Sequence, residues 1–352
     1  MRRRDFLAAS GGMALAGTLG GLSGAWAQAK PSQMSVMTWG GQFGEAVARG
    51  ADKQFEAEFG VRMVQDRGST PVERITRAKI NASNQIFDIL QLHDGLVPLA
   101  VQQDVYEKLD LNSPRLPNAR KLIGGFGNDY WLPWIFSEIG ICYNTKEVKN
   151  PPTKFADLWR PEFEGRVVLP AITHSIGPYV IPIGAIAAGK EENDEEAGFA
   201  QLKTLAELDP IWARDTDGIM NAMGSGEAVV GLLYRSQTNT VLQRGASVKW
   251  IAPEEGAIAV AWGAGITKGC KNPELAESYL NTLIGPKCQA VFAETFNYSG
   301  TNPDSLALLS PELQERVKPV PAIMEKLRKL DHGFIATRRA AWTDRWNRVV
   351  SG

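Results

Sequence analysis

The chain has 352 residues, a length that suits two domains better than one, and at 44% hydrophobic residues it can bury a large core. A formal net charge of −1 leaves no basic footprint for nucleic acid. The three cysteines (Cys142, Cys270, Cys288) and three histidines (His93, His174, His332) build no zinc-type ligand set at the usual spacings.

Met1 to Ala27 reads as an export leader. Arg2, Arg3 and Arg4 form a positive start, a weakly apolar glycine-rich run follows, and Ala25-Trp26-Ala27 fits a small-x-small cleavage site, so the mature chain is expected to begin at Gln28. The pair Arg3-Arg4 followed by Phe6-Leu7 resembles a twin-arginine signal. The alternative is a membrane anchor, but six glycines between Gly11 and Gly24 make a poor spanning helix. No cysteine near the cleavage site supports lipidation. A soluble periplasmic protein is expected. In that compartment Cys270 and Cys288 are open to pairing, and buried free thiols are the equal alternative.

Ser35 to Thr38 suits a first strand, running into Trp39-Gly40-Gly41-Gln42, where a flat ring and exposed backbone N–H groups sit at a strand-to-helix turn. Phe43, Val47, Ala51, Phe55 and Phe59 then give one apolar helix face, and Gly60 suits a left-handed cap. Val61 to Gln65 is a second strand. A polar turn with Arg67 and a helix around Val72 to Asn81 follow, then a third strand, Ile86 to Leu90, leading to His93-Asp94-Gly95. This β-α-β-α-β order predicts a mostly parallel sheet.

Leu96 to Gln103 is expected to be helical, and Asp110 to Asn118 a loop. Trp131 to Thr145 is too apolar for a surface loop and suits extended buried backbone, with Glu138 its one acid. It reads as a strand passing between two α/β units, the alternative being a core strand of one large domain. Beyond Asn150-Pro151-Pro152 come a strand within Gly165–Pro170 and strands at Val229–Tyr234 and Val248–Pro253, with Thr173-His174-Ser175 at the end of the first. The acidic run Glu191 to Glu196 is expected to be a solvated loop or helix start. Ala257 to Ile266, a small-residue apolar run holding Trp262, reads as the chain crossing back. The C-terminal part is largely helical, with Trp342 and Trp346 one turn apart.

Several segments resemble the spermidine/putrescine-type solute-binding proteins of ABC importers: Phe155-Ala156-Asp157-Leu158-Trp159-Arg160-Pro161, Gly140-Ile141-Cys142-Tyr143-Asn144, Gly226-Glu227-Ala228 and Glu294-Thr295-Phe296-Asn297-Tyr298. The resemblance covers essentially the whole mature chain. It implies an α/β, type II-like two-lobed periplasmic-binding-protein fold. Each lobe would be a mostly parallel sheet flanked by helices, with the ligand between lobes that close by a hinge. On this basis lobe 1 spans 33–140 plus 263–305 and lobe 2 spans 145–260 plus 306–352. Crossing segments fall near 139–145, 257–266 and 305–311. The partners implied are a small-molecule ligand and an inner-membrane ABC permease. A monomer without cofactor or metal, and without enzymatic activity, is expected.

The resemblance also implies cleft positions at Trp39, Gly40, Gln42, His93, Thr173, Ser175, Tyr234 and Tyr298. The departures from it bear on the ligand. A dry cleft holding a polyamine needs carboxylates, yet Trp262 stands where the family carries an aspartate, and Thr173-His174-Ser175 replaces another. Arg235 follows Tyr234 directly, and Arg67 lies near a strand end of the other lobe. Asp94, Glu138, Asp215 and Asp217 remain as possible acids near the cleft. This balance favours a carboxylate-bearing or zwitterionic solute held by Arg forks and walled by aromatic rings. A polyamine is the alternative, and a ferric ion a lesser one. Gly184 to Lys190 imitates a phosphate loop, but Glu191 and further acids follow where phosphate would be repelled. No Gly-x-Ser-x-Gly elbow accompanies Ser175.

Overall fold

Leu132–Asn144 forms one 13-residue strand, buried along all but its last residue. Its run of β-branched and aromatic side chains suits backbone covered on both faces. The computed structural model that contains it describes residues 31–123 and 126–350. The leader expected over residues 1–27 lies outside the described residues.

The strands in chain order are β1 (Gln33–Met37), β2 (Arg62–Asp66), β3 (Ile89–His93), β4 (Leu132–Asn144), β5 (Val167–Pro170), β6 (Ile211–Ala213), β7 (Val230–Tyr234), β8 (Val248–Ile251), β9 (Ile258–Ile266) and β10 (Ser299–Gly300). One sheet runs in the order β2-β1-β3-β9-β4-β7-β5-β6, with β8 and β10 also paired to β4. β1 is parallel to β2 and β3, and β5 is parallel to β6 and β7. β9 is antiparallel to β3 and β4, and β4 is antiparallel to β7. Two parallel α/β units are therefore joined through the antiparallel pair β4/β9, the two stretches read as crossings.

Each unit buries apolar faces of its own. In the first, Phe55, Trp134, Tyr279 and Phe292 pack on one face of the sheet, and Leu92, Tyr106, Trp131 and Phe136 on the other. In the second, Phe155, Phe199 and Leu232 pack with Trp342 and Trp346 of the C-terminal helix His332–Val350. The acidic run proves to be a helix start, capped by Asp194, and its acids dock that last helix. Glu195 accepts from Trp342 Nε1 at 2.8 Å and pairs with Arg338 at 2.9 Å, while Glu196 pairs with Arg345 at 2.6 Å.

The helix expected over Phe43 to Phe59 is broken. Two α-helical pieces, Gly41–Val47 and Lys53–Phe59, flank a π turn at Ala48–Asp52, and Gly60 ends the run at φ +62°. The extra residue per turn accommodates specific contacts. Gly50 lies so close to Cys288 that a Cβ would stand 3.0 Å from its sulfur. Asp52 is buried, where it accepts from Tyr279 at 2.6 Å and Gln65 at 2.5 Å. Cys142, Cys270 and Cys288 are all free thiols.

Gly231 of β7 lies beside Val168 of β5, and a Cβ there would collide with the Val168 carbonyl oxygen. Gly231→Ala is expected to cost about 1–3 kcal/mol, the usual range for overpacking. Urea unfolding of the purified variant checks this.

Candidate functional site

In both units the parallel strands end toward the same region, where open α/β sheets gather their functional loops. β1 runs into Trp39, β3 ends at His93, β5 leads to the Thr173–Ser175 turn, and β7 ends at Tyr234. Strand register fixes their neighbours. Trp262 of β9 sits opposite His93 on one side and Ile135 of β4 on the other, and Ile139 of β4 sits opposite Tyr234. A path of rings crosses from unit to unit. Trp39–Phe43 centroids are 4.7 Å apart, Phe43–Phe296 6.1 Å, Phe296–Tyr298 5.8 Å, Trp262–Tyr298 4.8 Å and Tyr234–Trp262 5.7 Å.

Behind Trp39 lies an arginine that the sequence reading did not single out. The Arg74 guanidinium stacks over the Trp39 ring at 4.2 Å. It is fully buried, donating through Nη1 to the Gln91 carbonyl at 2.7 Å and through Nε to the Ser69 carbonyl at 3.2 Å, with Nη2 unpartnered. No described carboxylate forms an ion pair with it. Burial pushes it down to about 10, so it stays charged at neutral pH.

His93 is also buried, at 8% exposure, and its Nδ1 has no hydrogen-bond partner. Desolvation lowers it to about 4, against a smaller opposing pull from Asp94, while His332, Arg339 and Arg74 push the same way as burial. Asp94 is already engaged. It accepts from its neighbour Gly95 N at 2.8 Å and from Ala261 N of β9 at 2.9 Å, and faces His332 Nε2 at 3.6 Å. The His332 ring stacks on Tyr179 of the second unit, with centroids 5.6 Å apart. A Cβ on Gly95 would stand 2.6 Å from the Tyr179 hydroxyl, so only glycine permits this approach of the two units.

Beside these groups a cavity of about 350 Å3 draws its walls from three places. The first unit contributes Val72, His93, Gly95, Leu96 and Leu99, the second unit Ser175 and Tyr179, and the last helix Ile335, Arg339 and their neighbours. Among its lining residues no carboxylate occurs, and Arg339 is the permanent charge. A larger cavity of about 730 Å3 is lined by Asp94, Asp129, Val97, Phe126, Trp131 and His332 among others. Among the described residues no group of three or more His, Cys, Asp or Glu side chains is arranged to hold a metal.

The structure thus brings together Trp39, His93, Asp94, Ser175, Tyr234, Trp262 and Tyr298. It engages the two expected arginines elsewhere. Arg67 pairs with Glu45 at 2.6 Å and donates to Gln65 at 2.6 Å, along a surface groove that also holds Lys53 and Arg62. Arg235 is 9% exposed. Its Nε faces the fully buried Glu138 of β4 at 3.4 Å, and its Nη2 donates to Ser299 Oγ at 3.2 Å and the Lys318 carbonyl at 3.0 Å. Arg235 ties a crossing strand to the helix it opens. Gly40, Gln42 and Thr173 are exposed. His174 is buried, accepting at Nδ1 from Ile176 N at 3.1 Å, so its Nε2 proton is directed to Thr216 Oγ1 at 3.2 Å and the turn that presents Ser175 is held.

Removing the guanidinium from a buried pair leaves Glu138 uncompensated. Arg235→Ala is expected to lose about 3–5 kcal/mol of stability, readable in a denaturant titration. Tyr298 would stay held by Gln237, which donates to its hydroxyl at 3.2 Å.

His93 and His174 are both lowered from 6.5 to about 4, chiefly by desolvation, which Asp94 and Asp215 respectively oppose. The unfolded chain therefore binds more protons between those values. Stability from these two residues is complete above pH 6.5 and is lost as pH falls toward 4. Melting temperature recorded from pH 7.5 down to 4 is expected to fall across this window. His174→Asn should flatten part of the slope.

Residues 84–317 match the family described as bacterial extracellular solute-binding protein. The spermidine/putrescine-binding periplasmic protein of Escherichia coli K12 is 25% identical, over 76% of this chain and 78% of its own. The gamma-aminobutyric acid-binding protein of Pseudomonas aeruginosa is 23% identical, over 88% of each. Among solved structures, the Atu4243-GABA receptor superposes with a TM-score of 0.78 at 22% identity, covering 90% of this chain and 97% of that one. That likeness gives the fold: two lobes, here the two units joined by β4 and β9. The family match covers most of the sequence, and the chain is a member of the bacterial extracellular solute-binding protein family.

Proposed function

We propose that this protein is exported through its twin-arginine-type leader to the periplasm. There it captures a small carboxylate-bearing or zwitterionic solute between its lobes and presents it to an inner-membrane ABC permease. The lobes move about the crossings near 139–145, 257–266 and 305–311. Lobe 1 is 33–140 plus 263–305, and lobe 2 is 145–260 plus 306–352. Trp39, Tyr234, Trp262 and Tyr298 wall the ligand, and His93 and Ser175 supply polar contacts. Gly40, Gln42 and Thr173 lie at the rim. The protein acts as a monomer and binds rather than transforms its ligand.

One observation carries the choice of ligand: the buried Arg74 stacked on Trp39 with no paired carboxylate. A second cation brought beside it would add to an uncompensated charge in a region of low dielectric. A carboxylate would offset that charge. A polyamine carries at least two ammonium groups, and the nearby acids are engaged: Asp94 accepts from Gly95 and Ala261, Glu138 faces Arg235 and Asp215 caps a helix. The γ-aminobutyrate-binding relatives show that the fold serves zwitterionic solutes in other proteins.

A thermal-shift series on the chain from Gln28 onward tests this, with putrescine and spermidine set against 4-aminobutanoate, mono- and dicarboxylates and aromatic acids. A ligand of the folded state at 100 times its Kd adds about 2.7 kcal/mol, enough to raise Tm by several degrees. Shifts are expected with acids or amino acids. A shift with polyamines alone would overturn the assignment.

A further inference from the structure

Arg338, Arg339 and Arg345 lie on one helix, and two of them find carboxylates. Arg338 pairs with Glu195 and Arg345 with Glu196. Arg339 does not. It is half-buried, lines the inter-lobe cavity of about 350 Å3, and its guanidinium has no ion pair or hydrogen bond to a described residue. Its helix position explains the aim. Ile335, Trp342 and Trp346 are the buried residues of that helix, and Arg339 lies four residues after the first and three before the second, on the same inward face.

The rest of the cavity matches an anion with an apolar body. His93 presents a buried nitrogen, Nδ1, that nothing in the protein satisfies. The Ser175 side chain lines the opposite lobe's wall, and the remaining surface is largely aliphatic, with Leu96, Leu99 and Ile335. An unpaired guanidinium and an unsatisfied imidazole nitrogen in a carboxylate-free cavity form a binding site whose missing partner is negatively charged. We propose that Arg339, with His93 and Ser175, holds the head group of a small monocarboxylate whose apolar body lies against Leu96, Leu99 and Ile335. This rests on the receptor role proposed above and narrows its ligand, seating it in the cavity next to His93 rather than directly against Trp39, Tyr234, Trp262 and Tyr298, none of which lines that cavity. The head group binds at the last helix, not at Arg67 or Arg235.

Isothermal titration calorimetry tests it with defined probes: 4-methylpentanoate and phenylacetate, their neutral amides, 4-aminobutanoate and putrescine. The wild-type chain is expected to bind the two acids about tenfold or more tighter than the amides, in keeping with a charge-assisted bond. Arg339→Gln should reduce that acid-over-amide preference to about twofold or less at unchanged melting temperature, and Arg339→Lys should restore part of it. A purely structural arginine would not change the acid-to-amide ratio. The inference is overturned if acids and amides bind the wild type alike, if Arg339→Gln keeps the full preference, or if neither acid binds. Binding of 4-aminobutanoate without the apolar acids overturns this inference while leaving the receptor proposal standing. Binding of putrescine alone overturns both.

Discussion

The antiparallel pairing of β4 with β9 is the constraint on which the rest of this structure depends. Trp262, Asp94, His93 and Tyr234 are positioned, directly or through one neighbour, by that register. Trp262 lies between His93 and Ile135 because β9 pairs with β3 on one side and β4 on the other. Asp94 holds the end of β3 to β9 through the Ala261 N–H. The small residues of β9 are part of the same constraint. A Cβ on Gly263 would strike the Trp131 ring, and one on Gly265 would stand 2.6 Å from the Tyr106 ring. The glycines let two fully buried aromatic residues lie flat against the crossing strand, which stiffens it without adding bulk.

Buried charge is the second organising term, and the molecule treats it in two ways. Glu138 and Arg235 face each other where the crossing strand meets the second lobe. Such a pair adds little net stability but penalises any rearrangement that separates its members. It therefore favours crossing strands that bend as a unit. Arg74 is handled differently, by two backbone carbonyls and a tryptophan face. Carbonyl dipoles and a ring quadrupole soften a buried guanidinium but leave its net charge in place. The first arrangement is closed electrostatically, while the second leaves a positive potential beside the cleft.

The sequence disclosed the fold more readily than the site. Alternating βα units, the capping glycine at Gly60 and the apolar runs of β4 and β9 each rest on local periodicity, which survives in sequence. The break at Ala48–Asp52 does not, because it depends on Cys288 and Tyr279, more than 200 residues away. Trp39 and Tyr234 could be proposed for the cleft from sequence because each lies at or just past a strand end, whereas Trp262 sits within β9. The pairing of an arginine is not legible in that way, because an arginine after a strand looks the same whether a carboxylate awaits it or not. Glu45 and Glu138 claim Arg67 and Arg235. Yet a signal existed for the arginines left over. Arg74 shares a helix face with the buried Ile75 and Ala78, and Arg339 shares one with Ile335 and Trp342. A guanidinium at an inward helical position is costly to bury, and that is the pattern to seek in such chains.

The placement of Arg339 and His93 on opposite sides of one cavity links recognition to movement. The last helix packs its Ile335, Trp342 and Trp346 into the core of the second lobe, whereas His93 ends a strand of the first. If the lobes close as proposed, a ligand touching both would be bound fully only with the lobes together, so its binding energy would be differential and would shift the population toward closure. Sign matters as well as contact. Burial and, against it, Asp94 act most on the His93 imidazole, and Arg74 and Arg339 add smaller pushes toward its neutral form from opposite sides of the cavity. An ammonium placed there would oppose closure, and a carboxylate would favour it. On this reading the same two charges that select the ligand also make its capture the event that closes the protein.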